Sequence, residues 1–206
     1  MRGGGIKAVI FDYGGVLAQT VDPEPRAAWE RTLGLAPGAL TTAVHDERLW
    51  VAAQSGDISS DAHWQAVEEA LGLSPSQLNG LRASFYGGDV LNQPLLTCID
   101  RLRQQSMALG LLSNFSTDLR SMLGAQDLLR RFDHIAISAE IGAMKPDAAA
   151  YEAILGMLAL PAAACVFIDD LPENVDAARA LGMHGIVFED TTACLEVLEE
   201  LLSGQS

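Results

Sequence analysis

Short, continuously apolar runs alternate with stretches of helical period along most of the chain. The runs lie at 6–11, 107–112, 134–138, 165–168 and 185–188. Each is apolar throughout rather than at alternate positions, the pattern of a strand covered on both faces. Helical patterns fall between them, near 94–105, 117–123, 148–158, 174–181 and 192–202. In one of these Tyr151, Ile154, Leu155 and Leu158 repeat at i, i+3, i+4 and i+7, which makes one buried stripe. Strand and helix in strict alternation predict an α/β fold, a parallel sheet joined by crossover helices.

The interval from Val21 to Leu91 breaks the rhythm, with helix signals and no convincing strand. Ser74-Pro75-Ser76-Gln77 has the order of an N-cap, a proline at the first helical position and a capping-box glutamine. Before it, Trp64, Val67 and Leu71 share a helix face, and Gly56 and Gly72 punctuate the segment. An all-helical block entering after the first strand is expected to be an insertion lying as a lid over the sheet edge. The expected division is 1–18 and 92–206 for the sheet unit and 19–91 for the helical one.

Composition narrows the class. The 206 residues are 49% hydrophobic and 19% charged, so a packed protein is expected. The net charge of −14 leaves no basic footprint for a nucleic acid and repels polyanions, which favours a small substrate. No run is long enough to span a bilayer. The glycine-rich start, Met1 to Gly5, reads as a loose tail without the apolar run of a signal peptide. Cys98, Cys165 and Cys194 are widely spaced and outside any metal-ligand cluster; reduced thiols point to the cytoplasm. Oligomeric state has no signature in the pattern.

Two of the apolar runs end in aspartate, Ala8-Val9-Ile10-Phe11-Asp12 and Val166-Phe167-Ile168-Asp169-Asp170. Ligands of open parallel sheets bind outside the carboxyl ends of the strands. Carboxylates gathered there raise one another's pKa unless a cation intervenes, and Mg²⁺ is the hard, oxygen-seeking ion that suits them. Asp169 and Asp170 are consecutive and point apart, so one is expected to be a ligand and the other to act from behind it. Gly14 and Gly15 allow a tight turn and a close backbone approach. A third strand ends at Ser113-Asn114, where a hydroxyl and backbone N–H groups can meet a phosphate oxygen. Lys145, one of two lysines against eleven arginines, stands before Pro146 and Asp147. Its compact ammonium suits a position between a carboxylate and a phosphoryl group.

These segments, in this order, resemble the haloacid dehalogenase-like hydrolase superfamily. Phe11-Asp12-Tyr13-Gly14-Gly15-Val16-Leu17 looks like its first motif, Ser113-Asn114 its second, Lys145-Pro146-Asp147 its third and Ile168-Asp169-Asp170 its fourth. The stretch from Asp170 to Gly182 is similar to the family's helix after the last motif. The resemblance implies a Rossmann-like core with a small helical cap, and a Mg²⁺-dependent phosphatase acting on a small phosphorylated metabolite. It implies Asp12 as the nucleophile that becomes phosphorylated. Asp12, the Gly14 carbonyl and Asp170 would hold the metal, with Asp169 and Asn174 ordering its surroundings. Ser113 and Asn114 would bind the phosphoryl group, and Lys145 would offset charge on it and on Asp12.

One position departs from the pattern. Most phosphatases of the family carry a second aspartate two residues after the nucleophile, as acid and base; here it is Gly14. Such help contributes about 10²–10⁴-fold, so substrates with good leaving groups, such as sugar 1-phosphates, are expected. His45 and His63 lie in the helical block as candidate replacements. Two other readings compete. A 2-haloacid dehalogenase would use Asp12 on carbon without a metal, but its tyrosine stands two residues after the nucleophile, and Tyr13 is one position early. A non-catalytic binding or regulatory protein on the same scaffold would account for the missing acid but not for Asp12, Lys145 and Asp170 together.

Overall fold

The computed structural model describes residues 5–204, so the glycine-rich start lies outside the described residues except for Gly5. The chain begins with strand β1 (Ala8–Phe11) and strand β2 (Ala18–Thr20). Five helices follow: α1 (Glu24–Leu33), α2 (Ala39–Val44), α3 (Glu47–Ser55), α4 (Ser60–Leu71) and α5 (Pro75–Ser84). Strand β3 (Asp89–Leu91), helix α6 (Gln93–Gln104), strand β4 (Ala108–Ser113) and helix α7 (Asp118–Ala125) come next. Strand β5 (His134–Ile137) leads to α8 (Ser138–Ile141) and α9 (Ala148–Leu158). Strand β6 (Cys165–Asp169), helix α10 (Pro172–Ala180), strand β7 (His184–Val187) and helix α11 (Thr191–Ser203) complete it.

All five apolar runs become strands of one parallel sheet in the order β5-β4-β1-β6-β7. Parallel pairing needs crossovers, and the helices supplying them cover both faces. Val9, Phe11, Leu109, Leu111, Val166 and Ile168 meet Leu95, Ile99 and Leu198 of α6 and α11. Ala8, Ile10, Leu112 and Phe167 face the other way, onto Ala150, Tyr151 and Ile154 of α9 and Ala178 of α10. The stripe expected on α9 is buried as its spacing requires, with Leu155 and Leu158 at its partly buried margin. The fold is thus the expected Rossmann-like α/β arrangement, with β1 central and fully buried.

Helices α1, α2, α4 and α5 assemble around an apolar cluster of their own, Leu40, Val44, Trp64, Val67, Leu81 and Phe85 among it, while Trp50 of α3 packs against the sheet's core. Ser74 caps α5 with both bonds of the capping box formed. The expectation of no strand between residues 21 and 91 is corrected: β3 lies there and pairs antiparallel with β2, Ala18 opposite Leu91 and Thr20 opposite Asp89. A three-residue strand stabilised by a partner about seventy residues away leaves no local periodicity to read. This ribbon joins the helical block to the sheet. A second junction is polar. Asp118, in the first turn of α7, accepts from Trp64 Nε1 at 2.9 Å and Arg82 Nη2 at 2.8 Å. Gln54 Nε2 donates to the Asn114 carbonyl at 2.8 Å.

Candidate active site

Strands β4, β1 and β6 are adjacent and parallel, with Phe11 level with Leu111 on one side and Ile168 on the other. That register brings the residues just past each strand end to one place. The amide of Asp12 donates to the Ile168 carbonyl at 2.9 Å, which locks the turn after β1 to the end of β6. Asp12 and Ser113 are nearly buried, and Asp169 is completely so. One oxygen from each of Asp12, Asp169 and Asp170 lies within 4.8 Å of the others.

A single ammonium answers these acids. Lys145, only 4% exposed, sits 3.0 Å from Asp12 Oδ1 and 2.5 Å from Asp169 Oδ2, and donates to the Leu112 carbonyl at 3.1 Å. The side chain of Asn114 holds the loop in place, donating to the Lys145 carbonyl and accepting from its amide, each at 2.8 Å. Asp169 turns its other oxygen to the Leu171 amide and to Asn174 Nδ2, both at 2.9 Å. Asn174 is in turn fixed through its carbonyl, which accepts from the Tyr151 hydroxyl at 2.8 Å. A lysine alone does not balance three carboxylates. Burial raises the pKa of Asp12 to about 6; Lys145 pulls it down, Asp169 pushes it up, and bonds from Lys145 and Ser113 lower it. Asp170 is also raised, first by burial and then by Asp169.

The chemistry of this donor set fits a hard divalent cation: clustered carboxylate oxygens, partly desolvated and under-compensated. The two glycines after Asp12 separate sharply. Gly15 has φ +77°, and a Cβ built there would lie 2.1 Å from Asp170 Oδ2. Its lack of a side chain is what lets the Asp170 carboxylate stand where it does. Gly14 has open space on its Cβ side.

The strand ends open into a cavity of about 640 Å³. Asp12, Gly14, Ser113, Asn114, Lys145, Asp170 and Asn174 line it, whereas Asp169 is packed behind the others and does not. The two histidines part ways. His45 lines the cavity, but burial and Arg26 hold it at about 4, so it carries no proton to give at neutral pH. His63 does not line it: its Nε2 is 2.8 Å from the Val44 carbonyl, inside the helical block. Sequence reasoning missed Trp50, Tyr86, Phe115 and Arg26, which also line the cavity. Nothing in their spacing marks them, because they come from separate elements. Tyr151 was foreseen only as a core residue, and a helical stripe does not reveal that its hydroxyl supports Asn174.

Residues 6–182 match the family model for haloacid dehalogenase-like hydrolases. The chain is 31% identical over 196 residues to the sesquiterpene phosphatase astK of Aspergillus oryzae, covering 93% of this chain and 94% of that protein. It is 29% identical over 199 residues to the phosphatase MT3486 of Mycobacterium tuberculosis, covering 89% and 88%. A haloacid dehalogenase family enzyme of Bacteroides thetaiotaomicron, solved with magnesium and inorganic phosphate, superposes with a TM-score of 0.76 over 92% of this chain and 98% of that one. At 21% identity, that likeness is one of fold.

Proposed function

The chain belongs to the haloacid dehalogenase-like hydrolase family, and from that premise we propose that it hydrolyses a small phosphomonoester through a phosphorylated Asp12. The observation that carries the reading is Lys145 bonded to Asp12 while three carboxylates converge at the sheet's edge. The phosphatase names of its relatives support it.

The Asp12 carboxylate, ionised above about pH 6, attacks phosphorus. The P–O ester bond breaks, leaving an acyl phosphate on Asp12 and an alkoxide that takes its proton from water, since Gly14 has none to offer. Water then attacks the same phosphorus, releasing phosphate and restoring the carboxylate. Ser113 and the Asn114 backbone orient the phosphoryl oxygens, and Lys145 stabilises charge on them. Asp12, Asp170 and the Gly14 carbonyl would hold Mg²⁺, which when bound supplies charge neutralisation to the anionic phosphoryl group. Asp169 and Asn174 position Lys145 and the turn after β6. Residues 19–91 act as the cap over this site, and 1–18 with 92–206 as the core.

Two features speak against a 2-haloacid dehalogenase. Asp12, Asp169 and Asp170 converge as a divalent cation requires, whereas a dehalogenase works without a metal. Clustered carboxylates would also repel the carboxylate of a haloacid. The three buried, unpaired cysteines are compatible with a reducing compartment such as the cytoplasm. Among the described residues, no helix is long and apolar enough to cross a membrane.

Acetyl phosphate, small and activated, tests the proposal. Hydrolysis that disappears with chelator and in Asp12→Asn is expected; an Asp12→Asn variant with near-normal turnover would overturn it. A beryllofluoride adduct on Asp12 separates a working nucleophile from a mere binding protein, which would take up none.

A further inference from the structure

Besides the carboxylates and Lys145, the cavity is lined by aromatic rings. Trp50 and Phe115 meet at 5.2 Å between centroids, Tyr86 and Phe115 at 5.5 Å, and His45 and Trp50 at 4.9 Å. Trp50 and His45 come from the helical block and Phe115 from the loop after β4, so the wall is shared between the two parts of the molecule. His45 adds an uncharged ring, held neutral by burial.

The other polar groups of the lining make bonds within the protein. Arg26 donates Nε to the Phe85 carbonyl at 3.0 Å and Nη2 to Thr20 Oγ1 at 3.2 Å. It lies 3.4 Å from Asp89 Oδ1, with its guanidinium 4.5 Å from the centre of the Phe85 ring. Thr20 donates to Asp89 at 2.6 Å, Gln54 to the Asn114 carbonyl at 2.8 Å and Gln19 to the Gly15 carbonyl at 2.9 Å. A second anionic group on the substrate would find each cavity cation paired. A tail rich in hydroxyls would have to compete with bonds already made, leaving polar groups unsatisfied.

We propose that the substrate is the monophosphate ester of an uncharged, largely apolar alcohol whose hydrocarbon part packs against Trp50, Tyr86 and Phe115. This rests on the phosphatase reading and names its substrate class. The cavity, about 640 Å³, is of ordinary size for a small-ligand site, and its lining sets the rings of Trp50, Tyr86 and Phe115 beside polar groups already bonded to one another. The sugar 1-phosphates suggested by leaving-group chemistry alone match this lining poorly.

The test compares straight-chain alkyl phosphates from ethyl to octyl with glycerol phosphate, glucose 1-phosphate and phosphoglycolate, all at saturating Mg²⁺. Each enzyme's rates are normalised to its own turnover of acetyl phosphate. The expected kcat/KM rises by about two- to fourfold per methylene, as burial of each group against the rings dictates. Trp50→Ala and Tyr86→Ala, made separately so that one misfolded variant does not decide the matter, should each flatten that slope. Calorimetric binding of methyl- against octylphosphonate, which cannot be hydrolysed, gives the same comparison without turnover. Acetyl phosphate cleaved but no gain with chain length, or a preference for the hydroxylated or carboxylated esters, overturns the apolar-tail proposal and leaves the phosphatase standing. Octylphosphonate binding much more tightly than methylphosphonate, with no ester cleaved, sustains the apolar chamber and overturns the phosphatase.

Discussion

Replacing Gly15 by alanine would place a methyl carbon 2.1 Å from Asp170 Oδ2 and 2.4 Å from its Cγ. Ordinary contact begins near 3.4 Å, so the carboxylate must retreat by roughly 1 Å or more. The backbone there has φ +77°, which costs an alanine about 1–2 kcal/mol. On a chain of this length, about 1 kcal/mol lowers Tm by roughly 2–4 °C, a modest loss. The effect on activity should be far larger, because a misplacement of about 1 Å costs on the order of 100-fold. Gly14→Ala is the matched control: no atom lies within 4 Å of the added carbon, so its stability should stay within about 0.5 kcal/mol of the parent. Thermal melts and acetyl phosphate hydrolysis, each titrated with Mg²⁺, separate the two variants. Gly15→Ala should need at least about tenfold more Mg²⁺ for half-maximal activity. Equal Mg²⁺ responses for the two variants would refute the claim that Gly15 exists to admit the Asp170 carboxylate.

The buried Asp12 carboxyl makes stability depend on pH. Its folded pKa, about 6, stands above the ordinary 3.8, so the stability contributed by the protonated form is full below about pH 4 and lost as pH rises through about 6. Without divalent ions the wild type should lose about 3 kcal/mol across that window, and Asp12→Asn should lose markedly less, as read from urea midpoints in chelator. Lys145→Met leaves Asp12 and Asp169 buried without their shared cation, and should cost about 3–5 kcal/mol at neutral pH along with the activity. Unchanged urea midpoints would show that the acids are solvated after all. Gly14→Asp adds a carboxylate at a position whose Cβ meets nothing within 4 Å, and should raise turnover of unactivated alkyl phosphates by roughly 10²-fold. Acetyl phosphate, whose leaving group needs no acid, should gain much less, and equal gains for both would refute the idea.

The segment after β4 is also where the helical block is fastened. Gln54 bonds to Asn114, and a few residues on Asp118 takes bonds from Trp64 and Arg82. Asn114 therefore touches Lys145 on one side and the helical block on the other. Movement of the block would be felt directly by Asn114 and Lys145, which line the cavity.

Much of this was legible one residue at a time. Continuous apolar runs declare strands buried on both faces, because only such strands need no polar side, and the helical stripes between them declare the crossovers. An aspartate at the end of such a run is conspicuous, since it stops the burial where parallel sheets bind their ligands. Asp12 and the Asp169-Asp170 pair stand out on those grounds, Ser113 as a hydroxyl at a strand end and Lys145 as one of only two lysines. Tertiary structure decided the rest. That Asp169 is spent on Lys145, Asn174 and the Leu171 amide while Asp170 faces the cavity depends on side-chain direction, which consecutive letters do not encode. The β2–β3 ribbon arises from pairing across a long separation, where neither strand is stable alone. The ring wall of Trp50, Tyr86 and Phe115 brings together a helix, the chain just past another helix and a loop after a strand. Local sequence sets which face of each element is apolar; which faces meet is set by packing, and the shape left over for a substrate is a property of the packed whole.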